Sequence, residues 1–199
     1  MHLAICGTDH NVGTTHFALA LSNYLCNKCG ATVAYLEVNS SDEISAICPL
    51  SLESNICFSY YNIQFFPRVT LADLPTIFTL HFDYFILDFG AFHSRACREF
   101  FQADLCFVTG IICKWKPNGF QAFLDSYHQY MKPDKIIFLE SMNVHKIQLS
   151  VKDYGSLAFR HIPFLNNPFQ ITSQDWEFYQ RLVKDFINIP HYTFTRGLL

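Results

Sequence analysis

The sequence predicts an α/β fold: a three-layer, doubly wound, mostly parallel sheet with helices on both faces. Three observations carry this. Apolar runs such as HLAIC (2–6), YFILD (84–88) and KIIFL (135–139) lack polar alternation, as strands buried on both faces do. Amphipathic stretches with helical spacing stand between such runs. No repeat, low-complexity tract or linker breaks the order, so the 199 residues read as one domain, 1–199.

Taken in order, 2–6 is the first strand, and a helix over 14–28 follows with Phe17, Ala20, Leu21, Tyr24 and Leu25 on one face. Gly30 stops that helix, and TVAYLEV (32–38) is the second strand. The segment 42–80 reads as short helices with a strand near NIQFF (62–66). Strands follow at 84–88, 104–109 and 135–139, with a helix at 118–131 and a last strand near 157–162. A closing helix spans 173–188, capped by Thr172 or Ser173, with Trp176, Tyr179, Leu182, Val183, Phe186 and Ile187 forming its core stripe.

Composition narrows the function. Half the residues are hydrophobic and 17% aromatic, which excludes disorder and fits a packed interior together with a protein-binding surface. Fourteen Lys+Arg against 17 Asp+Glu, with no large basic cluster, argue against nucleic acid and against an anionic membrane surface. No apolar run reaches the ~18–20 residues of a transmembrane helix, and MHLAICGT lacks the basic start of a signal peptide. A cytoplasmic location is expected. Of eight cysteines, only Cys26 and Cys29 form a CxxC pair, and without a second pair they read as one turn near a helix end rather than a metal site.

The stretch GTDHNVGTTH (7–16) leaves the first strand and enters the first helix, where ligands bind in such sheets. Its glycines let the backbone curl so that N–H groups face an anion, and the helix N-terminus adds its dipole. Gly7, Asn11, Val12, Gly13, Thr14, Thr15 and His16 are therefore candidate nucleotide-binding residues, with Thr15 placed to meet Mg²⁺. Thr14 stands where a phosphate loop carries lysine. It offers one neutral hydrogen bond, against a charge-assisted bond roughly twice as strong. Lys114 and Lys116, in GIICKWKPNG, are candidate replacement cations after a strand end. Arg95 and Arg98 read by default as surface or partner-facing residues, and His16 as a neutral imidazole.

The run from Gly7 to Asn39 resembles the opening of the MinD/ParA family of deviant phosphate-loop ATPases, nearest its TadZ/CpaE-like pilus-assembly branch. KGGVGKTT maps onto Asp9–His16, and the D-x-D strand end maps onto Glu37-Val38-Asn39. FDYFILDFG (82–90) resembles the Walker B strand, with Asp88 as its acid and a second candidate Mg²⁺ contact. HIPFLNNPF (161–169) resembles the loop that cradles adenine in relatives, which brings in Pro163.

The resemblance implies a P-loop NTPase-like fold, either ATP or ADP with Mg²⁺ on the loop or a site left empty, and protein partners, a homodimer among them. The departures qualify it. The signature lysine falls at Asp9, the Walker A lysine at Thr14, and the second acid of D-x-D at Asn39, which can orient water but not act as a base. These replacements imply a non-hydrolysing pseudo-ATPase that positions or assembles a larger bacterial machine, such as a pilus or secretion complex, with no catalytic residue assigned. The alternative is an active enzyme of the same superfamily: a residual ATPase using Lys114 or Lys116, or a ligase similar to dethiobiotin synthetase, whose GTDTxVGKT opening GTDHNVG also matches.

Overall fold

The computed structural model describes residues 1–47, 57–112, 119–141 and 157–187. Eight strands form one sheet: β1 (His2–Gly7), β2 (Val33–Glu37), β3 (Phe58–Tyr60), β4 (Ile63–Phe66), β5 (Tyr84–Ala91), β6 (Leu105–Gly110), β7 (Ile136–Glu140) and β8 (Ala158–His161). Their order is β3-β4-β2-β5-β1-β6-β7-β8, and every neighbouring pair is parallel except the β3–β4 hairpin. The helices are α1 (Thr14–Asn23), α2 (Leu74–Ile77), α3 (Cys97–Gln102), α4 (Gly119–Tyr127) and α5 (Ser173–Phe186).

Successive residues of each strand point to opposite faces, so β1 feeds two cores. Leu3 and Ile5 join Phe17 and Leu21 of α1 and Tyr179 and Leu182 of α5 in one core. Ala4 and Cys6 join Phe100 of α3 and Phe120, Phe123 and Leu124 of α4 in the other. This is the three-layer arrangement expected. The aromatic surplus largely fills these layers; Phe17, for example, packs edge-on to Phe107 at 5.4 Å and stacks with Tyr179 at 6.3 Å.

Several local expectations are refined. The helix over 14–28 is α1 continued by a π-helical turn, Tyr24–Lys28, where Asn27 bonds both Asn23 and the Tyr61 carbonyl. Gly30 ends it at φ 74°, and Cys26 and Cys29 are free thiols whose pKa values burial raises, Cys29 to about 11. Thr172 occupies the cap position of α5, but its hydroxyl bonds the Asp175 carboxylate rather than a helix N–H. Ser173 is already inside the helix. β3 and α3 were not anticipated; each is under seven residues, too short for periodicity to reveal.

Candidate functional site

β1 ends at Gly7 and α1 starts at Thr14, so residues 8–13 cross the C-terminal end of the sheet where β1 lies between β5 and β6. Asn11 (φ 58°) and Gly13 (φ 86°) take left-handed conformations that curl the loop. Gly7 is required by space: a Cβ there would collide with Thr14 Oγ1 and lie 2.7 Å from Val12 Cγ2 and 2.8 Å from the Asp9 carbonyl. Gly13 is the N-cap of α1, and no side chain caps it, so the first-turn N–H groups and the dipole face the loop. Ser141, just past β7, braces the loop, its hydroxyl 2.7 Å from the Val12 carbonyl and 3.1 Å from that of Gly110. The backbone cradle fits an anion.

The side chains around it tell a different story. Thr14 is buried, with Oγ1 2.8 Å from Thr109 Oγ1, and Thr109 Oγ1 lies 3.2 Å from the Cys6 carbonyl, to which it donates. A hydroxyl has one proton, so with Thr109 donating to Cys6, Thr14 must donate to Thr109. The Thr14 side chain thus turns down into the sheet, where its hydroxyl pairs with that of Thr109.

Asp88, on β5, is fully buried. Its Oδ2 accepts the Tyr35 hydroxyl at 2.6 Å, its Oδ1 accepts the Gly90 N–H at 2.9 Å, and the Thr15 hydroxyl also bonds it. Burial raises the Asp88 pKa above the ordinary carboxylate value, and these three donors oppose the rise. Thr15 and Asp88 are thus brought together. Asp88 is enclosed and already accepts three bonds, so Thr15, which lines the cleft, is the group that would meet Mg²⁺ there.

Glu37 and Asn39, the D-x-D positions, are both tied into the scaffold. Glu37 is buried in register with Asp88 and accepts the N–H groups of Ile44 and Arg68, each at 3.2 Å. Burial raises its pKa as well. Asn39 Oδ1 accepts the Ser41 N–H (2.9 Å) and hydroxyl (2.5 Å), while Nδ2 donates to the Asp88 carbonyl at 3.1 Å. The Asn39 amide joins the turns after β2 and β5.

Two cavities flank the cradle. One of about 310 Å³ is bounded by Asp9, His10, Thr15, Ser41, Glu43 and Gly90, and its described lining has two carboxylates and no lysine or arginine. The other, about 460 Å³, is largely apolar and lies between Val12, Gly13 and Phe17 on one side and Ile162, Pro163 and Leu165 on the other. Phe164 stands at its edge, 85% exposed. His16 borders both cavities; burial lowers its pKa, a bond with the Leu165 backbone opposes this, and the ring is neutral near pH 7. Its Nε2 is buried without a partner among the described residues. Lys114 and Lys116 lie outside the described residues.

Sequence reasoning therefore gathered the loop, Asp88, Asn39 and Pro163 at one end of the sheet, and missed Tyr35, Thr109 and Ser141. Strand register was the available signal for Tyr35: pairing Glu37 with Asp88 places Tyr35 beside Ile86, on the Asp88 face.

No protein-family model matches this sequence, and no curated protein matches it. Solved structures do. A putative plasmid partition protein from Borrelia burgdorferi, bound to AMPPNP, superposes with a TM-score of 0.67 at 13% identity, over 94% of this chain and 97% of that one. A ParA family ATPase from Chlorobium tepidum gives 0.59 at 15% identity, over 92% and 90%. This chain has the ParA/MinD fold. MinD in the MinC:MinD cell division complex of Aquifex aeolicus extends the likeness, with a TM-score of 0.57 at 12% identity over 96% and 99%. At these identities the ParA/MinD likeness is one of fold, and the chemistry has to be argued from the residues.

Proposed function

We propose that this chain is a ParA/MinD-like module that takes nucleotide on the 7–16 loop without hydrolysing it. Its role is positioning or assembling a larger machine, such as a pilus or secretion complex, as in the TadZ/CpaE-like branch. The observation that carries the reading is Thr14: the side chain at the lysine position faces Thr109, not the cradle. Asp9, at the second lysine position, adds a negative charge to the same cleft. Phosphoryl transfer depends on positioned cations to stabilise the transferring group, so the described site holds the backbone half of a nucleotide site without its electrostatic half.

The apolar cavity beside Pro163 suits a base, and the uncapped start of α1 suits its phosphates. Thr15 would hold Mg²⁺ beside them. A binding module of this kind works through protein partners, and the complex of MinC with MinD supports a protein-bound mode. With Asp9 at the signature position, a homodimer would use another face than the nucleotide sandwich. Calorimetric titration with ATP, ADP and GTP, with and without Mg²⁺, tests the proposal. Binding that is lost in Gly13→Ala, without phosphate release, is expected; Mg²⁺-dependent turnover that Thr15→Ala abolishes would favour the enzymatic alternative.

A further inference from the structure

Beyond the loop, the ends of β2 and β5 border a third cavity of about 680 Å³, lined by Asn39, Ser41, Thr70, His93, Ser94 and Arg95 among others. It shares Ser41, Gly90 and Ala91 with the 310 Å³ cleft, so the two form one groove. The halves differ in charge. Among the described residues, the loop half is lined by Asp9 and Glu43 and by no lysine or arginine. The other half is lined by Arg95 and His93 and by no carboxylate.

Asp42 is held by Arg68 in a two-pronged pair at 2.8 and 2.7 Å, and Asp73 accepts the N–H and hydroxyl of Thr70. The Arg95 guanidinium has no hydrogen-bond or ion-pair partner among the described residues. A guanidinium fork matches carboxylate and phosphate oxygens, and the Ser94 hydroxyl adds a neutral donor to the same wall, while those of Ser41 and Thr70 already donate to Asn39 and Asp73.

We propose that this half of the groove is a binding site for a small oxyanion-bearing molecule, a carboxylate or a phosphate ester, with Arg95 as its anchor. At Ser41 and Gly90 its far end opens into the cleft beside the phosphate loop. The site does not depend on nucleotide binding at the loop, and it places the anion-holding cation about one loop away from where a phosphate loop carries it.

Calorimetric titrations at constant ionic strength, with inorganic phosphate and with malonate, test this on the wild-type chain, Arg95→Gln and Gly13→Ala. For at least one of the two anions a saturable site is expected that persists in Gly13→Ala, any phosphate held by the loop itself being the part that this variant removes. Arg95→Gln should weaken it at least tenfold, the loss of one charge-assisted pair. Gly13→Ala should leave it within about twofold while removing nucleotide binding, and the phosphate and malonate arms separate the two ligand chemistries. If Gly13→Ala fails to fold, Thr15→Val serves as the loop variant. No saturable binding of either anion, an unchanged affinity in Arg95→Gln, or a loss in the loop variant would each overturn the proposal. Failure of the nucleotide reading shows separately, as no heat with ATP on the wild-type chain.

Discussion

Replacing Tyr35 with phenylalanine removes one oxygen from beneath the loop. That oxygen lies 2.6 Å from Asp88 Oδ2, and both residues are fully buried, so water cannot take its place. Hydrogen bonds to charged groups contribute about 1.5–3 kcal/mol, so Tyr35→Phe should cost about 2 kcal/mol at neutral pH. For a chain of this length that is a fall of roughly 4–8 °C in melting temperature. The cost should depend on pH in a definite sense. Burial holds the Asp88 pKa above its ordinary value, so the folded chain keeps a proton that the unfolded chain releases. The stability this gives is fully present below the ordinary value and is lost as pH rises through the raised one. Tyr35 opposes that loss. Without its hydroxyl the Asp88 pKa climbs further and the loss extends to higher pH. Below the ordinary carboxylate value, where the raised pKa keeps the buried carboxyl protonated, the deficit should shrink to about 1 kcal/mol, the value of a neutral bond. Urea denaturation of both proteins across this pH range measures it. A deficit below about 0.5 kcal/mol at neutral pH, or one that does not change with pH, would refute the reasoning.

Three further substitutions probe the loop and its braces. Gly7→Ala forces a Cβ against Thr14 Oγ1 and the Asp9 carbonyl; it should cost about 1–3 kcal/mol and abolish nucleotide binding, read by thermal denaturation and calorimetry. Asn39→Asp restores the acid of D-x-D but removes the donor to the Asp88 carbonyl, so chemical denaturation should show a loss of about 1–3 kcal/mol and a phosphate-release assay no gain of hydrolysis. Thr109→Val strands the buried Thr14 hydroxyl and should cost about 1–2 kcal/mol with nucleotide affinity unchanged, because Thr14 does not face the ligand.

The central strands were legible because each is a continuous apolar run, buried on both faces between two cores. The loop was legible because its glycines are tied to backbone shape: Gly7 by collision and Gly13 by its positive φ. The direction in which Thr14 points was not, since a hydroxyl between strand and loop has partners on either side and the choice rests with Thr109, 95 residues away. Asn39 reads as a weakened acid in a motif, yet its geometry is that of a brace between the turns after β2 and β5. β4 was legible in NIQFF, but its hairpin partner β3 escaped because Tyr61 and Asn62 supply the positive φ of the turn where glycine usually does. Opposite charge on the two halves of the groove is a property of folded surfaces, since Arg95 and Glu43 are 52 positions apart in sequence.

The most direct test of a nucleotide loop without hydrolysis is to mix the protein with a substoichiometric amount of γ-labelled ATP and Mg²⁺, then follow bound nucleotide and released phosphate in one sample. Nucleotide held by the wild-type chain, absent from Gly13→Ala and recovered as intact ATP, is the predicted result. Phosphate release above the uncatalysed rate that disappears in Gly13→Ala would contradict the account.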